Sequence, residues 1–305
     1  VALTGESEEP FSIMTKYKLL ALDVDGTLVG PDGLVGEPVR RAIAGARSAG
    51  IAVCLATGRS YLESRDIWRQ LRLAGPHEPM VTVGGAIVCQ SDTGRTLYHR
   101  SISRPVAARF GQEFNRRGYV AMALVDGWRF EADYIITDVG DHHAASRDWF
   151  AKMNVRIVRA ASLADAPAEM AILRISTVAP PAEAAELAAD LAGQFAGEQN
   201  VHAILAPNYG VTIVEAHAPQ ADKMTALRYV GQPMLIGPGQ MAAVGDDIND
   251  VPMVRGVGLG AAMNHAPETL RSVARVIVPG GSSDARAGLA EFIDRLAAGE
   301  YDNGA

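Results

Sequence analysis

Leu19-Leu20-Ala21-Leu22-Asp23-Val24-Asp25-Gly26-Thr27-Leu28-Val29-Gly30 runs from an apolar stretch directly into two aspartates one residue apart, with glycine and threonine behind them. A short continuous apolar run bounded by turn residues reads as a buried strand of a parallel sheet. Charge is costly to hold at the edge of such a strand, so two carboxylates placed there need a purpose. In an open parallel sheet the ligand crevice forms at the carboxyl ends of the strands, which is where this pair stands.

Working outward, the chain alternates strand-like runs with amphipathic stretches. A helix is expected over 37–49, with Val39, Ile43 and Ala46 on one face and Gly50 ending it. IAVCLATG is a second strand, Ser60 with Glu63 three residues on is a capping-box pattern, and PMVTVGGAIV is a third strand. Between about 91 and 207 the character changes to longer alternating strands with two helices. One spans 106–117, with Val106, Phe110 and Phe114 four residues apart, and one spans 182–196 behind Pro180-Pro181. Asp126-Gly127 in YVAMALVDGWRFEAD marks a hairpin turn between two strand-like halves. After NYGVTIVEAH the α/β rhythm returns through QMAAVGD, VGLGAAM and ARVIVP to a last helix over 285–298. The expectation is an α/β, doubly wound parallel-sheet (Rossmann-like) core made of 16–86 and 208–305. An α+β unit over 87–207 interrupts it, and residues 1–15 read as a loose leader without the pattern of a secretory signal.

Composition narrows the function. The 305 residues carry a formal net charge of −7, with 48% hydrophobic and 21% charged residues. This is the make-up of a globular protein with no basic surface for nucleic acid or acidic lipid, and no apolar run is long enough to span a bilayer. Cys54 and Cys89 both lie in apolar strand-like runs, which suits free buried thiols in a cytoplasmic protein. An anionic substrate would need a metal or a few placed cations.

Four segments supply them. Asp23 can attack an electrophile as a carboxylate, and Asp25 can trade a proton with the leaving group. Two close carboxylates repel, and a divalent cation between them keeps both ionised; oxygen-only ligands point to Mg²⁺. Thr57 and the backbone N–H groups around Gly58, in Ala56-Thr57-Gly58-Arg59, open a helix and suit a phosphate oxygen. Lys223 in QADKMTAL offers a point charge for phosphoryl oxygens, and the acidic cluster Gly245-Asp246-Asp247-Ile248-Asn249-Asp250 can complete the metal site.

DVDGTL, the threonine of ATGR, the isolated lysine and GDDIND resemble, in order and spacing, the four motifs of haloacid dehalogenase-like phosphatases. VGLGAAMNHAPETLRSVA resembles the segment that follows the fourth motif in the Cof-type subgroup, whose α+β cap (type IIB) is inserted between the second and third motifs. The resemblance implies Asp23 as the phosphorylated nucleophile and Asp25 as general acid and then base. It implies Mg²⁺ held by Asp23, the Asp25 main-chain carbonyl and Asp246, with Asp250 in support, and a phosphoryl group held by Thr57, Lys223 and Asn249. The expected function is a phosphatase acting on a small phosphorylated metabolite, a sugar phosphate first among them. A phosphomutase and a non-catalytic phospho-ligand binder are the alternatives.

Several other residues admit plainer roles. Arg59 would touch phosphate or pair with an acid on the following helix, and Trp128 and Phe130 would face substrate or pack a core. Asp247 reads as a solvated neighbour, Gly26 and Gly58 as backbone joints, and His142-His143 as a solvated loop rather than a metal site. Where many relatives carry Asn-Gly after the third strand, this chain has Val83-Gly84-Gly85.

Overall fold

Alternation along the first strand, β1 (Leu19–Leu22), sends Leu20 and Leu22 to one face of a sheet and Leu19 and Ala21 to the other, and all four are buried. A computed structural model describes residues 15–73, 78–140, 143–206, 210–279 and 285–303. After β1 come α1 (Glu37–Ser48), β2 (Ala52–Leu55), α2 (Tyr61–Gln70), β3 (Pro79–Thr82), β4 (Ile87–Gln90) and β5 (Thr96–His99). Then follow α3 (Arg104–Arg116), β6 (Met122–Val125), β7 (Tyr134–Thr137), α4 (Ala144–Met153), β8 (Ile157–Ala160), β9 (Ile172–Ala179), α5 (Pro181–Gln194), β10 (Asn200–Ala206) and β11 (Val211–His217). The chain closes with α6 (Lys223–Gly231), β12 (Met241–Gly245), α7 (Val251–Gly256), β13 (Leu259–Met263), α8 (Glu268–Arg271), β14 (Val276–Val278) and α9 (Ala285–Ala297).

The first sheet is parallel throughout, in the order β14-β13-β12-β1-β2, and a bridge from Ala56 to Val81 lays β3 beside β2. Leu20, Leu22, Val53 and Leu55 pack with Val39 and Ile43 of α1 and Leu289 and Ile293 of α9. Leu19, Ala21 and Cys54 pack on the other face with Met224 and Leu227 of α6 and Met253 of α7. Helices on both faces make the core doubly wound, and they leave the strand ends as its open edge. Ser60 and Glu63 form the expected cap of α2, the Glu63 carboxylate accepting from the Ser60 amide and hydroxyl at 2.8 Å each.

The second sheet is mixed, six-stranded and ordered β10-β11-β9-β6-β7-β8. Residues pointing to one face, such as Phe110 and Phe114 of α3 and Leu187 and Leu191 of α5, are buried in the same core as Leu173 and Ile175 of β9. The opposite face of the sheet looks toward the strand ends of the first.

Four expectations change here. PMVTVGGAIV is not one strand: Val83, Gly84 and Gly85 take φ of +52, +64 and +102, and this reversal folds β4 back antiparallel to β3. Glycine is required at 85, where a Cβ would meet the Asp222 carbonyl oxygen at 2.2 Å. Val211–His217 does not begin the return to the core; it pairs with β10 and β9 inside the second sheet. The turn at Asp126-Gly127 opens a longer connection, because GWRFEAD stays out of the sheet and the partner strand starts at Tyr134. A third helix, α4, also stands between α3 and α5, with His143 accepting from the Ala145 amide at 3.2 Å as its cap. His142 lies outside the described residues, as does the expected leader up to residue 14.

Candidate active site

The loops leaving β1, β2 and β12 and the first residue of α6 deliver their side chains to one place. The Asp23 amide donates to the Val244 carbonyl at 3.0 Å, so the sheet holds its backbone while the carboxylate stands at the edge. Gly26 takes φ +79, and a Cβ there would lie 2.1 Å from Asp246 Oδ2; glycine lets the first loop approach the fourth. Asp222 caps α6 by accepting from the Thr225 amide at 2.9 Å, which aims Lys223 inward. The fully buried Lys223 ammonium donates to Asp23 Oδ1 and to Asp250 Oδ1, each at 2.6 Å.

Both oxygens of Asp250 are engaged, Oδ1 by Lys223 and Oδ2 by the amides of Asp246 at 3.0 Å and Asp247 at 3.2 Å. It ties the ammonium to the fourth loop. Asp246 Oδ1 accepts from the Thr27 hydroxyl at 3.0 Å, and Oδ2 lies 3.5 Å from His265 Nε2. Burial pushes the Asp23 carboxyl well above the ordinary range; Lys223 pulls it down, while Asp250 and Asp246 add to the rise. Asp246 is raised by burial first and by the Asp250 charge next, against hydrogen bonds to Asp23 and Thr27. Burial alone would discharge Lys223, but the two carboxylates hold its pKa above the usual lysine value.

These residues fit a hard divalent cation. Asp23, Asp246 and Asp250 bring carboxylate oxygens within 4.8 Å of one another. With one ammonium among three carboxylates, the ionised site keeps an excess of negative charge, and its donors are all oxygen. With Asp250 committed to Lys223 and two amides, Asp23 and Asp246 are the side chains left to hold an ion.

Asp25 is turned to the crevice rim, where Arg59 grips it through Nε to Oδ2 at 2.8 Å and Nη2 to Oδ1 at 2.5 Å. Arg59 therefore pairs with the acid of the first loop and not with an acid on α2. Thr57 is fully buried, its Oγ1 accepting from the Arg59 amide at 3.1 Å. Gly58 and the exposed Asn249 stand together, a Cβ on Gly58 lying 4.0 Å from Asn249 Nδ2. The exposed Asp247 caps the turn over 248–250 through the Ile248 amide at 2.7 Å. Trp128 lines a separate cavity of about 190 Å³, and neither it nor Phe130 lines the catalytic crevice.

That crevice, about 880 Å³, has Asp23, Asp25, Asp246 and Asn249 on its floor and a roof from the second sheet. Sequence reasoning missed His265, in the NHAPET stretch behind the fourth motif, and the roof residues Tyr134, Arg174 and Glu215. The signal for the last two was a charge at an alternating position inside an otherwise apolar strand.

The family model of haloacid dehalogenase-like hydrolases matches residues 20–293. The chain is a haloacid dehalogenase-like hydrolase. The hydrolase is 22% identical over 263 residues to a 5-amino-6-(5-phospho-D-ribitylamino)uracil phosphatase of Bacillus subtilis, spanning 85% of this chain and 89% of that one. It is 25% identical over 261 residues to an HMP-PP phosphatase of Yersinia pseudotuberculosis, spanning 84% and 86%. A solved sugar phosphatase of subclass IIB shares the fold, with a TM-score of 0.71 at 15% identity over 92% of this chain and 98% of that one. Parallel core and α+β insert together are the Cof-type architecture, and the hydrolase is a phosphatase of that type, acting on phosphoric monoesters.

Proposed function

We propose that this phosphatase hydrolyses a small phosphorylated metabolite through a phosphoaspartate on Asp23, with Mg²⁺ as cofactor. The observation that carries the reading is the buried Lys223 ammonium bridging Asp23 and Asp250 while Asp246 faces Asp23 under a roofed crevice. Mg²⁺ would be held by Asp23, Asp246 and the Asp25 main-chain carbonyl, and when bound it supplies positive charge for the phosphoryl oxygens.

An Asp23 oxygen attacks phosphorus as the bond to the leaving oxygen breaks, and Asp25, protonated and turned inward from its pair with Arg59, gives that oxygen its proton. Asp25 then takes a proton from the attacking water, which releases inorganic phosphate and restores the Asp23 carboxylate. Lys223, Thr57, Asn249 and the Gly58 amide neutralise and orient the phosphoryl oxygens, which is most of what phosphoryl transfer requires. We assign 16–99 and the chain after 217 to the catalytic core, because β4 and β5 continue from β3 and Val88, Leu97 and Tyr98 pack with Leu19, Met224 and Leu227. The segment from 100 through β11 is a cap that selects the leaving group, so both bounds of the expected 87–207 insert shift. Two relatives are named for a ribitylaminouracil phosphate and for HMP-PP, and a structural neighbour is a sugar phosphatase; a sugar phosphate is the first class to assay. Two free, buried cysteines support a reducing, cytoplasmic setting.

The test is phosphate release from p-nitrophenyl phosphate and a panel of phosphorylated metabolites, with Mg²⁺ and with a chelator. Turnover is expected only with Mg²⁺, and Asp23→Asn should abolish it while leaving the unfolding midpoint in place. Retained turnover in that variant would exclude Asp23 as nucleophile.

A further inference from the structure

Glu215 stands opposite Ser176 and His217 opposite Arg174 in the β11–β9 register, while Met122 and Leu124 of β6 stand opposite Ser176 and Arg174. Period two therefore gathers Arg174, Ser176, Glu215 and His217 on one face of the second sheet, the face that roofs the crevice. Arg174 Nη1 lies 3.2 Å from Glu215 Oε2 and donates to the Gly58 carbonyl at 3.3 Å, and Nη2 donates to the Tyr134 hydroxyl at 3.2 Å. Burial opposes the guanidinium charge, and Glu215 and Tyr134 more than restore it. Among the described residues, Arg174 Nε and His217 Nε2 are buried without a hydrogen-bond partner. Apart from Ser146, Ser176 and the exposed Lys152 of α4, the roof around the pair is apolar, including Met122, Trp149, Phe150, Val178 and Ile213.

A buried ion pair is a poor source of stability compared with packed apolar side chains, and the neighbouring roof positions show that apolar residues are at home here. The pair also sits directly over the second loop, through the Gly58 carbonyl, so a group attached to a phosphate held by that loop reaches it. Because Glu215 balances Arg174, a second anion on the substrate would meet a carboxylate as well as a guanidinium. A neutral group that both accepts and donates satisfies both partners.

We propose that Arg174 and Glu215 are the specificity-determining pair of this phosphatase, reading a leaving group that presents a hydrogen-bond acceptor and donor side by side. Arg174 donates to the acceptor, Glu215 accepts from the donor, and Trp149, Phe150 and Ile213 cover the apolar remainder. Vicinal hydroxyls of a sugar and the cyclic amide edge of a heterocycle share this chemistry. The proposal rests on the phosphatase reading of the Asp23 site.

The probes are ribose 5-phosphate, which carries vicinal hydroxyls, thymidine 5′-monophosphate, which carries a cyclic amide edge and no vicinal hydroxyls, and phenyl phosphate, which carries neither. kcat/KM is measured for each with Mg²⁺ for the wild type, Glu215→Gln and Arg174→Lys. The wild type should prefer one of the first two over phenyl phosphate, and which one identifies the source. Each substitution should lower kcat/KM for that ester about tenfold or more, chiefly through KM, against less than about threefold for phenyl phosphate. Equal losses on all three esters, no loss, or no wild-type preference would overturn the proposal. Calorimetric binding of the same esters in an Asp23→Asn background, with unfolding midpoints for every variant, separates recognition from turnover and from misfolding. Selective binding with no turnover by the wild type sinks the hydrolase reading and spares the pair; wild-type turnover without selectivity at the pair does the reverse.

Discussion

The floor and the roof of the crevice both bury charged side chains, but the balance differs. On the floor Asp23, Asp246 and Asp250 share one ammonium, Lys223, and burial raises the Asp23 and Asp246 carboxyls. On the roof one guanidinium meets one carboxylate, with a tyrosine hydroxyl and a backbone carbonyl completing the set. A site left short of positive charge is prepared for a cation and a phosphoryl group. A balanced one is prepared for a neutral leaving group.

The contrast can be broken in order of effect. Asp23→Asn should lower kcat by roughly four to six orders of magnitude, as loss of a nucleophile does, and the phosphate-release assay checks it. Lys223→Met strands buried carboxylates on the floor and should cost about 3–5 kcal/mol in metal-free urea unfolding. Arg174→Met should cost a similar amount by stranding Glu215, but on the roof the double variant Arg174→Met/Glu215→Met should return to within about 1 kcal/mol of wild type, since the pair is balanced. If the double variant is no better than the single, the roof pair is a structural brace and not a neutral reader.

The smallest effect is in pH. Burial holds His217 neutral, lowering its pKa from 6.5 to about 4, with Arg174 and His202 adding to the drop and Glu215 opposing it. Between those values the unfolded chain binds a proton that the folded one refuses. Folding stability should therefore fall as pH is lowered from 6.5 toward 4, at up to about 1.4 kcal/mol per pH unit from this group. His217→Gln should flatten that limb of the stability profile; an unchanged slope would show that His217 accepts the proton in place.

The floor was legible in the sequence because its residues sit at strand ends, beside the glycines and helix starts that mark a parallel sheet's open edge. Asp23, Thr57, Lys223 and Asp246 could be placed from order alone. What could not be placed depends on pairing across the chain. Arg59 finds its partner in Asp25, 34 residues earlier, and the alternation of VTIVEAH suits either sheet, so the pattern alone does not tell which one β11 joins. Arg174 and Glu215 become neighbours only once β9 and β11 are in register. Helix α4 leaves little mark in the sequence because Ser146 is its one buried residue; Trp149 and Phe150 hold it by ring contacts with Tyr134.

The most direct test is to acid-quench the wild-type enzyme during turnover of a good phosphate ester with Mg²⁺ and map the modified peptide by mass spectrometry. One phosphoryl group on Asp23, lost again on longer incubation and absent from Asp23→Asn, is the predicted result. Turnover with no phosphorylated residue at any quench time, or a phosphoryl group on another side chain, would contradict the assignment of Asp23.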